Sequence, residues 1–459
     1  MTKEELKSRV IQAVEDAKDE LIAAGRALNG MPETGYREVK TSAFVKAELE
    51  KCGLTVESGL ALTGLRAKAE GRKSEAVGAG AAGGERLNVG VMGELDSLIM
   101  PKHAGADPVT GAFHGCGHHA QLTTVIGTAI GLVRTGLIKE LDGDVTFFAV
   151  PAEESVEAEY RKGLVRDGKI RFTTGKAEFI RLGLLDDVDM VLMSHVMGNE
   201  PEPHAWIGHS WNGVINKSVR FTGKAAHAAL APWNGINALQ AAVEAINRVN
   251  ALRTSFREED HVRIHFIITK GGASCNVVPD DVRMEFGVRA STVGALKEIN
   301  RRVNEAICEG AAAVGAGVEI IEDNFYLPCI QDRNLDELYH QNAAAILGAE
   351  HAENVFGSHR GSSTDASAIA SLMPAIHPYF GGAVGAPHGA DFEIVNDYAA
   401  YVVPAKIAAA TVVDLLWDGA REARRVKEAF VPAIRSKKEF LDFAAQYSDR
   451  KAEVNTEKV

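Results

Sequence analysis

Cysteine is scarce in this chain. Cys52, Cys116, Cys275, Cys308 and Cys329 are scattered over 459 residues. Their odd number and irregular spacing exclude a disulfide framework and suit free thiols in a reducing compartment. Positive charge is short as well: 50 Lys and Arg stand against 62 Asp and Glu, a formal net charge of -12. That balance argues against nucleic acid or an anionic membrane surface as partner, and an anionic substrate needs a local basic pocket. The apolar stretch from Leu122 to Val133 is too short to span a bilayer. The charged opening Met1-Thr2-Lys3-Glu4-Glu5 lacks the apolar core of a signal peptide, so the cytoplasm is the expected compartment. No internal repeat is found. What remains is a globular composition, 46% hydrophobic and 24% charged, in a chain too long for one ordinary core. Two domains are expected.

Apolar periodicity predicts helices over 4–30 and 41–51, strands over 62–67 and 87–92, and a Gly-, Ala- and Ser-rich surface loop over 71–85. A helix at 120–134 follows. The strand at 145–150 is a continuous apolar run of the kind buried on both faces, and another strand follows at 188–193. The pattern then changes to a β-α-β-β-α-β order: strand 214–222, helix 235–252, strands 261–269 and 282–289, helix 293–313 and strand 318–325. Helix 332–347, a strand at 375–380, a helix at 391–417 and a charged surface tail at 437–459 complete the reading. The fold class is therefore α/β: a catalytic domain with a mixed, mostly parallel sheet flanked by helices, over 1–213 and 326–459. Inserted in it is an α+β, ferredoxin-like domain over 214–325.

The stretch that organises the chain is His114-Gly115-Cys116-Gly117-His118-His119. Thiolate and imidazole are the ligands that zinc and similar divalent ions prefer, and two glycines let the backbone crowd them together. Read blandly, it is a His-rich turn with a small core thiol. Three successive strand ends tell against that reading. Gly93-Glu94-Leu95-Asp96 closes the second strand, Pro151-Ala152-Glu153-Glu154 the third, and Ser194-His195 the fourth. Ligands collect at the carboxyl ends of strands in open α/β sheets. Taken singly, a strand-end Asp is as well explained as a turn former, and Glu153-Glu154 as a helix N-terminus with favourable dipole placement.

Together with Gly223-Lys224-Ala225-Ala226-His227-Ala228-Ala229 and Asn276-Val277-Val278-Pro279, these motifs resemble the dinuclear-metal aminoacylase and amidohydrolase branch of the metallopeptidases. The resemblance runs in motif order from Met31-Pro32-Glu33 to beyond His388. It is greatest for the B-type subunit of p-aminobenzoyl-glutamate hydrolase and extends to nitroanthranilate aminohydrolase. It implies five ligands, Cys116, His118, Glu154, His195 and His388, holding two divalent ions, with Cys116 as the bridge. Manganese or zinc is implied ahead of cobalt or nickel. Glu153 is implied as general base and then general acid, and Asp96 as the carboxylate that orients a metal ligand. His227 is implied to reach into a partner subunit's site and steady the oxyanion. Asn276 and Arg289 are implied to grip a substrate carboxylate. Where relatives with a His-x-Asp motif carry a metal-binding His, this chain has Glu94. His119, where relatives often have Asp or Asn, departs from the pattern, and the Lys- and Arg-rich segment 157–176 reads as an exposed loop near the pocket mouth.

The function implied is hydrolysis of a C–N bond in a small carboxylate-bearing substrate, an amide of an N-acyl or N-aroyl amino acid, by a homodimer or higher homo-oligomer joined through the inserted domain. Three other readings remain open at this point: hydrolytic deamination of an activated aromatic amine at the same two-metal site, a metal-bearing binding protein without catalysis, and a Cys116 nucleophile with a His partner.

Overall fold

The computed structural model describes residues 1–72, 86–447 and 450–453. Most of the anticipated surface loop 71–85, from residue 73 onward, lies outside the described residues. The chain divides into two compact units. The first comprises Met1–His209, Gln331–Ser358 and Leu372–Pro432, and the second Ser210–Ile330, His359–Ser371 and Ala433–Val459. The sequence parse assigns 359–371 and 433–459 to the first domain, whereas 359–371 and the described tail residues 433–447 and 450–453 group with the second. The cause is side-chain packing that no local pattern reveals: helix Lys437–Tyr447 sets Phe443 and Tyr447 around Phe325 at ring separations of 5.2 and 6.3 Å.

The first unit is built on a six-stranded sheet. Its order is Val56–Leu60, Gly64–Glu70, Asp144–Val150, Asn88–Glu94, Met190–Leu192 and Ala375–Ile376. The last four strands run parallel, and Gly64–Glu70 is antiparallel to both of its neighbours. Every residue of Asn88–Glu94 and Asp144–Val150 is buried, as continuous apolar runs require. The predicted helix over 4–30 is two helices, Lys3–Asp16 and Lys18–Asn29, parted at Ala17. Neither Gly nor Pro marks that break. The first begins with a capping box in which Thr2 and Glu5 satisfy each other's backbone N–H. The predicted helix over 391–417 starts later, as a π turn at Tyr398–Val402 that continues as Val403–Leu416. Asn396 sets the start by accepting from the Ala399 N–H at 3.1 Å, and Glu393–Ile394 pairs instead as a short strand with Ala383–Val384. The run Tyr398–Leu416 is long and apolar enough to cross a membrane, and beyond half-buried Tyr398 it is buried throughout as the core helix of this unit.

The second unit realises the β-α-β-β-α-β pattern with strands Gly213–Thr222, Arg263–Lys270, Asp281–Ala290 and Gly317–Tyr326. Numbered in chain order, they lie 4-1-3-2 across an antiparallel sheet, the ferredoxin-like arrangement. Strand Arg450–Glu453 pairs along the outer edge of Gly317–Tyr326. At the opposite edge, Arg263–Lys270 leaves Ile267 and Ile268 exposed. Helices Ala238–Leu252 and Val293–Ala313 are capped by Asn237 and Thr292 and pack against each other. Gly310 allows their closest approach, because a Cβ there would lie 2.4 Å from the Ala245 nitrogen. Gly310→Val should therefore lower the unfolding free energy by about 2 kcal/mol through overpacking, seen as a lower denaturant midpoint.

Candidate metal centre

The carboxyl ends of three parallel strands bring the candidate ligands into the first unit's site. Asn88–Glu94 delivers Glu94 and Asp96, Asp144–Val150 delivers Glu153 and Glu154, and Met190–Leu192 leads to His195. Helix His118–Ala129 enters the same space by its first residue, after Gly117 turns the chain at φ 79. His388 arrives on a separate loop, fixed by donation from its backbone N–H to the Gly115 carbonyl at 2.9 Å. Ala152 (φ 57) and His388 (φ 64) both hold left-handed backbone, which L residues rarely adopt, beside candidate ligands.

The five predicted ligands gather into two triads. Ligand atoms of Cys116, His118 and His195 lie within 4.8 Å of one another, and so do those of Cys116, Glu154 and His388. Cys116 belongs to both. Its Sγ is 3.4 Å from His195 Nε2, and His388 Nε2 is 3.3 Å from Glu154 Oε1. His118 Nε2 and Glu154 Oε1 are buried without a well-formed hydrogen bond, as atoms aimed at a cation would be. One sulfur, three imidazoles and one carboxylate fit a pair of borderline divalent ions. The other ring nitrogens are occupied: His195 Nδ1 faces the Val196 carbonyl at 2.8 Å, and His118 Nδ1 faces Asp96 Oδ1 at 3.2 Å and the Asp96 carbonyl at 2.9 Å. Asp96 Oδ2 also accepts from the Glu154 N–H at 2.9 Å, so one buried carboxylate braces two candidate ligands. Glu153 belongs to neither of these triads but to a third group that could hold an ion, with Glu94 and His118, whose ligand atoms likewise lie within 4.8 Å of one another.

The electrostatics of the centre follow from burial. Desolvation holds the Cys116 thiol well above its ordinary range, and the Glu154 carboxylate adds to the effect. Desolvation pulls His195 down to about 4, with the charge of His118 adding. For His118 burial acts the same way, but the charge of Glu94 and the contact with Asp96 outweigh it and raise the imidazole well above 6.5. For Glu154 burial alone would raise the pKa; contacts with His388 and His118 bring it below the usual carboxylate value.

The remaining predicted residues belong to the second unit. His227 is exposed, and its Nδ1 accepts from the Ala229 and Leu230 N–H groups at 3.3 and 3.1 Å. That places the ring proton on Nε2, which leaves an N–H donor facing outward. Asn276 lies beside it: the Ala228 N–H donates to the Asn276 carbonyl at 2.9 Å, and His227 bridges to Val277. Half-buried Arg289 donates to Ser363 Oγ at 2.7 Å.

The sequence reading errs over 157–176. The segment is not an exposed loop. It forms helix Ala158–Arg166 and runs into helix Gly175–Leu182, with Arg161 and Lys176 buried. Arg161 Nη2 lies 3.8 Å from Asp96 Oδ2, and Lys176 Nζ pairs with Glu94 Oε1. Gln121 Nε2 donates to the other Glu94 oxygen at 2.6 Å. The clue missed was acidic: Glu94 and Asp96, once buried, need cations, and the nearest Lys- and Arg-rich segment supplies them. His119 is buried with its Nε2 3.1 Å from the Tyr401 hydroxyl, and desolvation holds it at about 3. It is a neutral packing residue.

Comparisons with known proteins bear on fold and family. A peptidase dimerisation domain of the M20 type matches residues 211–313. The Xaa-Arg dipeptidase of Mus musculus is 28% identical over 384 residues, 82% of this chain and 79% of that protein. The B-type subunit of the p-aminobenzoyl-glutamate hydrolase of Escherichia coli is 29% identical over 289 residues, 61% of this chain and 53% of that protein. Among solved structures, a dinuclear metal-binding peptidase of the M20 family from Bacillus subtilis superposes with TM-score 0.65 at 21% identity, covering 88% of this chain and 99% of that one. The resemblance carried by the motifs is borne out, and the relatives act on amide or peptide bonds.

Because Cys116 belongs to both triads, Cys116→Ala should abolish tight retention of both ions, whereas His388→Ala should cost one. Metal content per chain after dialysis distinguishes the two. Binding must displace the Cys116 and His118 protons, so metal uptake should tighten as pH rises and release protons into a weakly buffered solution.

Proposed function

We propose that the chain is a two-metal amidohydrolase that cleaves the amide bond of small N-acyl or N-aroyl amino acids bearing a free carboxylate. The observation that carries this reading is the sharing of Cys116 between two triads, with Glu153 alongside and in neither. When bound, a pair of divalent ions supplies a hydroxide nucleophile at neutral pH and positive charge for the developing oxyanion. Glu153 accepts the proton of the attacking water. It returns that proton to the amide nitrogen as the C–N bond breaks, releasing a carboxylate and an amine. Asp96 keeps the His118 ring in the tautomer that presents Nε2. The outward Nε2–H of His227 serves as oxyanion donor, delivered from a second copy of the chain in a homodimer, and the M20-type dimerisation domain supports such an assembly. Asn276 and Arg289 hold the substrate carboxylate; a guanidinium fork suits that group. The mixed sulfur, nitrogen and oxygen set favours zinc or manganese.

The amide is favoured over the aryl C–N bond by the substrates named for relatives: a dipeptide in one and p-aminobenzoyl-glutamate in another. Ammonia released without a second organic product would instead identify a deaminase. Glu153→Gln should retain both ions and lose turnover on an N-acyl amino acid by about 10²- to 10⁴-fold. Chelation should abolish wild-type activity, and zinc or manganese should restore it. Activity that survives chelation and is lost on thiol alkylation would point to a Cys116 nucleophile.

A further inference from the structure

Two buried cations stand behind the metal loop, and both come from the 157–176 segment. Lys176 is 0% exposed and pairs through Nζ with Glu94 Oε1, itself 1% exposed. Arg161, also buried, stands farther from its carboxylate, with Nη2 3.8 Å from Asp96 Oδ2. The two carboxylates so matched are the pair that flank the His118 ring. Asp96 takes Nδ1, while Glu94 Oε2 lies 3.1 Å from Nε2, the nitrogen turned to the triads.

That distance matters. Imidazole nitrogen and carboxylate oxygen each sit about 2.0–2.2 Å from a shared zinc ion, so neighbouring ligand atoms stand about 3 Å apart. Glu94 Oε2 is therefore within reach of an ion held by His118. Yet Glu94 already has strong partners at both oxygens, with Lys176 on one and the Gln121 amide on the other. A buried ammonium by itself would repel a nearby divalent cation, and a buried unpaired carboxylate would attract one.

We propose that Lys176 is a positioning residue that holds Glu94 out of the coordination sphere and cancels its charge. The ion at Cys116, His118 and His195 thereby keeps a coordination position for water and substrate. This inference rests on the two-metal reading above. A purely structural ion pair would stabilise the fold without setting metal affinity.

The test is a double-mutant cycle on the metal-stripped full-length protein, with the zinc dissociation constant read by chelator competition and the melting temperature of the stripped form read in parallel. Lys176→Met leaves Glu94 unpaired and should tighten zinc binding about tenfold or more. Glu94→Gln removes the negative charge facing Lys176 and should weaken it by a similar factor. The double variant, a neutral pair of nearly the same volume, should return to within about threefold of wild type. Manganese EPR of Lys176→Met should show a changed ligand set, and Lys176→Arg should behave as wild type. Should Lys176→Met fail to fold, the decisive comparison is Glu94→Gln against the double variant, where removing the ammonium must raise affinity. Singles that shift affinity in the same direction, or that lower only the melting temperature, overturn the proposal. Wild-type protein that binds no pair of ions overturns the two-metal reading instead.

Discussion

Parallel strands that end side by side leave the residues just beyond them a single small volume to share. That constraint governs the first unit. Asn88–Glu94, Asp144–Val150 and Met190–Leu192 are hydrogen-bonded neighbours, so acidic and imidazole side chains far apart in the chain become adjacent without any loop having to search for them. The Cys116 loop and the His388 loop then close on the same volume, tied by one backbone hydrogen bond. Left-handed backbone at Gly117, Ala152 and His388 is the cost of that convergence, and it falls beside candidate ligands.

Much of this was legible in the sequence because it rests on local patterns. Apolar runs ending in Asp, Glu-Glu and His marked the strand ends, and the β-α-β-β-α-β alternation gave the second unit nearly residue for residue, with helix 293–313 matching the observed Val293–Ala313. What escaped depends on contacts between distant segments. Helix breakage at Ala17 carries no Gly or Pro signal. The late helix start at Tyr398 follows from a pairing between separate segments, in which Glu393–Ile394 joins Ala383–Val384 as a short strand. Charge misled most at Arg161 and Lys176, because a run of basic residues ordinarily marks a solvated surface, and only the burial of Glu94 and Asp96 reverses that inference.

The same logic of matched internal charge recurs elsewhere. Lys217, fully buried in the second unit, lies 3.6 Å from Glu322 and is pushed down to about 8 by desolvation. Lys406 pairs with Glu15 in the first unit, where the Tyr398 hydroxyl joins them. A chain with net charge -12 thus places several of its cations inside, each facing a carboxylate. Such pairs contribute little net stability over apolar packing, but a lone survivor of one is costly. They constrain which conformations the surrounding helices can adopt.

The sheet of the second unit has unlike borders. Along Gly317–Tyr326 the chain's own Arg450–Glu453 occupies the outer hydrogen-bonding row, while Arg263–Lys270 carries exposed isoleucines and has no strand beyond it among the described residues. If two copies join along Arg263–Lys270 about a twofold axis, each covers the same edge of the other, and that self-matching contact closes at the pair rather than running on into a fibre.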